Sequence, residues 1–233
     1  MKKIGFLIFA AALVFGLIFA NMFSFGKVSG KFANFSFGFK GVKGSGKTAL
    51  DVRNVSDFKA VDVGGVFDVE ITAQKEFAVE IEADDNLLPL ISTEVRNGVL
   101  HIGTESKVSP KSRMVVRVSA PDIDHLDVSG AATVALNNIK NSSLGLDTSG
   151  ASKISISGET ASFNADISGA TKIDAENLKT IDSNLDASGA SSVTVNVSGT
   201  LRAAASGASN IRYTGSPTSV EKDSSGGARI SAK

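Results

Sequence analysis

Four aspartates, Asp127, Asp147, Asp166 and Asp186, each stand two residues ahead of a Ser-Gly pair. Oxygen-bearing side chains recurring at a fixed interval are the ligand type that calcium takes. If the interval is one turn of a stacked chain, these carboxylates form a ladder with neighbours about 4.8 Å apart, which repel unless a cation or lysines intervene. The Gly-Gly-x-Gly-x-Asp repeat of calcium-binding solenoids is missing, and the series breaks at Ala204. The four are therefore read as a solvated polar face whose side chains also bond turn amides. They stand as the candidates for a metal; no metal is assigned and no cofactor is expected.

Ser129, Ser149, Ser168, Ser188, Ser206 and Ser225 form a second regular series. A serine nucleophile needs a neighbouring base. Only His101 and His125 could supply an imidazole, and neither lies in a G-x-S-x-G setting. The hydroxyls are expected to hydrogen-bond along the stack. A zinc site from the two histidines and a carboxylate has no spacing to recommend it. Asp84 and Asp85 are the residue type a glycosidase pairs across its substrate, but side by side they read as a helix-start or turn device. Gly41, Gly46, Lys47 and Thr48 satisfy the G-x-x-x-x-G-K-[ST] pattern, in which backbone amides and a lysine cradle phosphates. That loop works between a buried strand and a helix whose N-terminus faces the phosphate. Here it precedes ALDVRNVSDFKAVDV, which has no helical periodicity. The match is read as chance, no catalytic residue is assigned, and the chain is not expected to be an enzyme.

The elements that hold these residues come from a repeat. LDVSGAATVAL, LDTSGASKISI, ADISGATKIDA, LDASGASSVTV, AAASGASNIRY and KDSSGGARISA align without a gap, with the Ser-Gly pairs 20, 19, 20, 18 and 19 residues apart. VDVGGVFDVEI at 61–71 fits the same frame. Apolar and polar residues alternate on both sides of each Ser-Gly pair, which is strand patterning around a turn. A second turn recurs at Asn137-Asn138, Ser157-Gly158, Glu176-Asn177, Ser198-Gly199 and Gly215-Ser216. At ~3.3 Å per residue, one repeat makes a path of roughly 60 Å, enough for two or three short sides of one coil. Stacking such coils satisfies the backbone between them. The expectation is an all-β parallel β-solenoid (β-helix) with coils of about 19 residues, regular over 124–233 and with a strand-rich lead-in at 51–123.

The remainder bounds the setting. Lys2 and Lys3 precede an apolar run from Ile4 to Ala20, with Met22, Phe23 and Phe25 beyond. This pattern reads as a signal peptide or an N-terminal membrane anchor over 1–25. A Gly/Lys/Phe-rich linker is expected over 26–50, with Phe35, Phe37 and Phe39 alternating as an edge strand or cap. All acids lie after position 50, so 51–233 holds 17 bases against 24 acids, a net charge of −7. An acidic main domain argues against a nucleic-acid partner. The chain has no cysteine, which removes disulfides and thiolate sites.

Over roughly 55–233 the chain resembles the head GIN domain family of auto-transporter adhesins. The residues carrying the likeness are GVFDVEI at 65–71, VEIEADDNLLPLISTEVRNGVLHI at 79–102 and the SGA-type turns after 126. Within them DDNLLPLISTEV is expected to hold a short helix, capped by Asp85 or Asn86 with Pro89 in its first turn. The resemblance implies a right-handed parallel β-solenoid on the cell envelope, with no established enzymatic activity and no catalytic residues to carry over. The expected function is an exported, periplasmic or cell-surface adhesion, binding or scaffold module. Its expected partners are an envelope glycan or protein ligand, the membrane through residues 4–25, or other copies of itself. The alternatives are a polysaccharide-active envelope enzyme and a self-polymerising scaffold.

Overall fold

The computed structural model describes residues 41–233. The apolar segment 1–25 and the expected cap at Phe35, Phe37 and Phe39 lie outside the described residues. The strands in chain order are β1 (Val42–Lys43), β2 (Thr48–Arg53), β3 (Ala60–Gly65), β4 (Asp68–Ala73), β5 (Ala78–Asp84), β6 (Ile91–Arg96), β7 (Val99–Thr104), β8 (Val108–Ser109) and β9 (Val115–Ala120). They continue as β10 (His125–Gly130), β11 (Thr133–Gly150), β12 (Lys153–Ile167), β13 (Lys172–Ala187), β14 (Ser192–Val197), β15 (Thr200–Ala205), β16 (Asn210–Gly215), β17 (Ser219–Ser224) and β18 (Arg229–Ala232).

Period-two alternation puts Leu126 and Val128 on one side of β10 and Asp127 and Ser129 on the other. Burying the first pair makes each repeat one rung of a solenoid of about five turns. β10 lies parallel on β3, with Leu126 opposite Val61, and β11 lies parallel on β10, with Leu146 opposite Leu126. The same column continues through Ala165, Leu185 and Ala203, and all six side chains are buried. Each Leu or Val buried in this way contributes about 1.5–3 kcal/mol, largely offset by the entropy of ordering the chain. Phe163 is fully buried between Leu144 and the small Ser183 of the adjacent rungs.

At the Ser-Gly corner successive rungs pack backbone against backbone. Ala151, Ala170, Ala190 and Ala208 each donate a backbone N–H to the corner glycine of the preceding rung, at 2.7–2.8 Å. Gly150 has φ +112°, and a Cβ there would sit 2.3 Å from the Gly130 carbonyl oxygen. Only glycine meets both demands. The second expected turn appears differently. β11, β12 and β13 run on through it as bent strands, and the register changes there, between Leu136 and Ile139 and again between Ser155 and Ser157. Leu136 faces Ile156, an offset of 20, while Ile139 faces Gly158, an offset of 19. The second corner therefore absorbs the variation in repeat length.

The lead-in departs from a simple coil. β3 and β4 make a rung, as the 61–71 match predicted, but the chain then passes to the opposite side of it. β7 lies parallel on β3, and β9 lies parallel on β4. Rung β3–β4 is thus enclosed between β7 and β9 on one side and β10 and β11 on the other. Antiparallel strands then roof this end, β6 on β7, β5 on β9 and β2 on β5. Residues 42–50, expected as linker, belong to the fold through β1 and the start of β2. The helix expected in DDNLLPLISTEV is a single 3-10 turn, Leu88–Leu90, with Pro89 in it. Its cap position is Leu87, with no side-chain hydrogen bond. Asp85 and Asn86 are engaged elsewhere: Asp85 Oδ1 accepts from Ser45 Oγ (2.6 Å), and Asn86 Oδ1 accepts from the Ser45 N–H (2.8 Å).

Candidate binding face

The outward residues of the first side of each coil form three parallel columns. Asp127, Asp147, Asp166 and Asp186 stand directly opposite one another on successive rungs, as the repeat spacing required. Asp62 extends the column at the lower end. The signal for it was VDVGG, whose Asp occupies the frame position of LDVSG. At the upper end Ala204 interrupts the column and Asp223 resumes it. On one flank lie His125, Gly145, Asn164 and Asn184. On the other lie Ser129, Ser149, Ser168 and Ser188.

The serines bond along the stack, but to backbone. Ser129 Oγ donates to the Val63 carbonyl (3.5 Å), Ser168 Oγ to that of Thr148 (3.2 Å) and Ser188 Oγ to that of Ile167 (3.4 Å). Both histidines sit beside the acidic column. His101 Nδ1 lies 2.8 Å from Asp62 Oδ2, and His125 Nε2 lies 3.3 Å from Asp147 Oδ2. The carboxyl of Asp127 is pushed above its ordinary value by partial burial and by the charges of Asp62 and Asp147, and His125 opposes the shift. Like charges stacked one rung apart raise the cost of ionising the member between them. Among the described residues, no group of three or more His, Cys, Asp and Glu side chains converges in a way that could hold a metal ion. The four aspartates share one side of an open trough of ≈560 Å³, with Ser149, Ser168 and Ser188 along the other. A straight polar trough at rung spacing can supply acceptors to a ligand at several successive points.

The other acidic feature, Asp84, is structural. It is fully buried. Gly46 N–H donates to its Oδ1 (2.9 Å), as does Ser112 Oγ (2.8 Å), while the Lys111 and Ser112 N–H groups donate to Oδ2 (2.8 and 3.2 Å). Burial raises its pKa, but the hydrogen bonds from Lys111, Ser112 and Gly46 outweigh that and hold the carboxyl below its ordinary value. Of the glycines in the phosphate-loop match, Gly46 turns its N–H to an anion, the chain's own Asp84, and the other backbone donors to that carboxylate, Lys111 and Ser112, lie outside the match. At Gly44 a Cβ would fall 1.8 Å from Asp84 Oδ2. Strand β2, not a helix, follows the loop.

The family described as "Putative auto-transporter adhesin, head GIN domain" matches residues 57–217. The chain belongs to this family. Solved structures share the architecture of its head GIN domain. One, from Bacteroides fragilis, is described as "a putative adhesin"; it is 22% identical with a TM-score of 0.64, over 83% of this chain and 100% of that one. A second, from Parabacteroides merdae and described in the same words, is 21% identical with a TM-score of 0.54, over 82% of this chain and 98% of that one. A third, from Parabacteroides distasonis and described as a "Putative lipid binding protein", is 18% identical with a TM-score of 0.53, over 83% of this chain and 100% of that one. At these identities the likeness concerns the fold. No curated protein matches the chain.

Proposed function

We propose that this head GIN domain is a non-catalytic adhesion module of the cell surface or envelope, whose Asp/Ser trough docks a hydroxyl-rich polymer, a glycan of the envelope or of a contacted surface. The observation that carries the reading is the straight column Asp127, Asp147, Asp166 and Asp186 beside serines along one trough. Carboxylates accept charge-assisted hydrogen bonds from sugar hydroxyls, and a repeated row of them engages a polymer at several points whose weak contacts reinforce one another. Family membership supports adhesion as the role. The polar, open shape fits a binding surface better than a pocket that sequesters a reacting bond from water. No helix among the described residues is long and apolar enough to cross a membrane; a tether through residues 4–25 is part of this proposal. Mapping the mature amino terminus distinguishes a retained tether from a cleaved signal.

Glycan arrays with the purified chain test the reading. Saturable binding is expected, weakened at least about tenfold by the double variant Asp147→Ala/Asp166→Ala, in line with the loss of two charge-assisted contacts. Release of new reducing ends from a bound polysaccharide would replace adhesion with hydrolysis. Binding that the double variant leaves unchanged would move the ligand off this trough.

A further inference from the structure

The two ends of the solenoid are finished in different ways. Antiparallel β6, β5 and β2 roof one end. At the other, β17 pairs only with β15 and β18 only with β16 among the described residues. Both present a free parallel edge there, and such an edge is a template for another strand.

Val220 and Ile230 continue the apolar interior into that last rung, but one inward column does not stay apolar. The position filled by Leu185 and then Ala203 in the preceding rungs is Lys222 in β17. Its ammonium lies 4.9 Å from the centroid of the Tyr213 ring and 3.5 Å from the Ile230 carbonyl oxygen. Ile230 belongs to β18, across the rung, so the side chain spans the mouth of the core. Its methylenes cover the apolar interior while the charge stays wet. A rung stacked on top would have to bury that ammonium over an aliphatic column, with nothing to repay its lost hydration.

We infer that Lys222, held over Tyr213, is a stop that closes the β17–β18 end of the solenoid to strand addition and keeps copies of the chain from stacking end to end. It removes the self-polymerising scaffold at this edge while leaving the acidic trough free to act.

The test is sedimentation of the full chain, held in a mild detergent that masks its apolar segment, across a concentration series. Wild type and Lys222→Glu are expected to keep a constant mass. Lys222→Leu, which completes the aliphatic column, is expected to rise about twofold as pairs form through the opened β17–β18 ends. Constant mass for Lys222→Leu with its thermal unfolding intact overturns the inference, as does association of Lys222→Glu. Should Lys222→Leu fail to fold, hydrogen exchange on the wild type decides. Amides of β17 and β18 that exchange at the same rate at every concentration support the stop, and amides that gain protection with concentration overturn it.

Discussion

Asp84 and Asp127 are carboxylates of one chain driven in opposite directions by their surroundings. Asp127 ionises against its own column, whereas Asp84 is ringed by donors from Gly46, Lys111 and Ser112. A folded-state pKa below the ordinary 3.8 means that the unfolded chain takes up this proton first as the solution is acidified. The stabilisation is therefore complete above the ordinary carboxylate range and is lost as pH falls through the lower, folded value. Asp84→Asn replaces a four-fold acceptor with an amide whose NH2 faces donors. Thermal melts at neutral pH are expected to fall by roughly 5–10 °C, and the variant is expected to lose part of the wild type's sensitivity to acid. The sequence showed the Asp84-Asp85 pair and the glycine-lysine loop as separate features. That they are partners was hidden, because a contact across 38 residues leaves no periodic trace. The aspartate ladder was legible, because stacking turns equal spacing into adjacency, and Asp62 escaped the candidate list only because Gly64 stands where later repeats have serine.

At the scale of the element, the Ser-Gly corner combines two constraints that substitution separates. Gly98 shares a positive φ, +78°, but a Cβ there meets nothing nearer than the Asp57 carbonyl oxygen at 4.0 Å. Gly98→Ala carries the conformational strain alone, about 1–2 kcal/mol. Gly150→Ala adds a collision with the Gly130 carbonyl, and about 2–4 kcal/mol in total is expected from urea unfolding. Equal losses at the two sites would show that rung spacing yields at the corner. Alternation made the strands readable through the repeats. It did not reveal that β11 to β13 bend through the second corner without ending, because Asn138 and Gly158 are turn residues whether a strand stops or only changes register. Thr48–Arg53 was divided between linker and lead-in because its outward residues include Leu50 and Val52, both exposed, which breaks the usual polar-outside pattern.

On the scale of the whole molecule, stability is distributed by position in the stack. Rungs in β11, β12 and β13 have neighbours on both sides, whereas the side chains of β17 and β18 are mostly exposed. Nearest-neighbour coupling in a solenoid makes the end rung open first. Hydrogen exchange followed by mass spectrometry is expected to find the slowest amides in β11–β13 and the fastest strand amides in β17–β18. A uniform rate along the stack would mean that the solenoid opens only as one cooperative unit. The repeats stated the stack plainly, and the antiparallel roof stayed unread because strands β5 to β9 carry no repeat to fix their partners. That roof has a consequence for biogenesis. Rung β3–β4 is synthesised before either of its neighbours, and the strands that close its lower side, β7 and β9, come from residues 99–120. Assembly cannot zip upward from the first strand to emerge. The nascent chain must wait for a loop to return beneath the earliest rung, so the base of the tower is laid after its first storey.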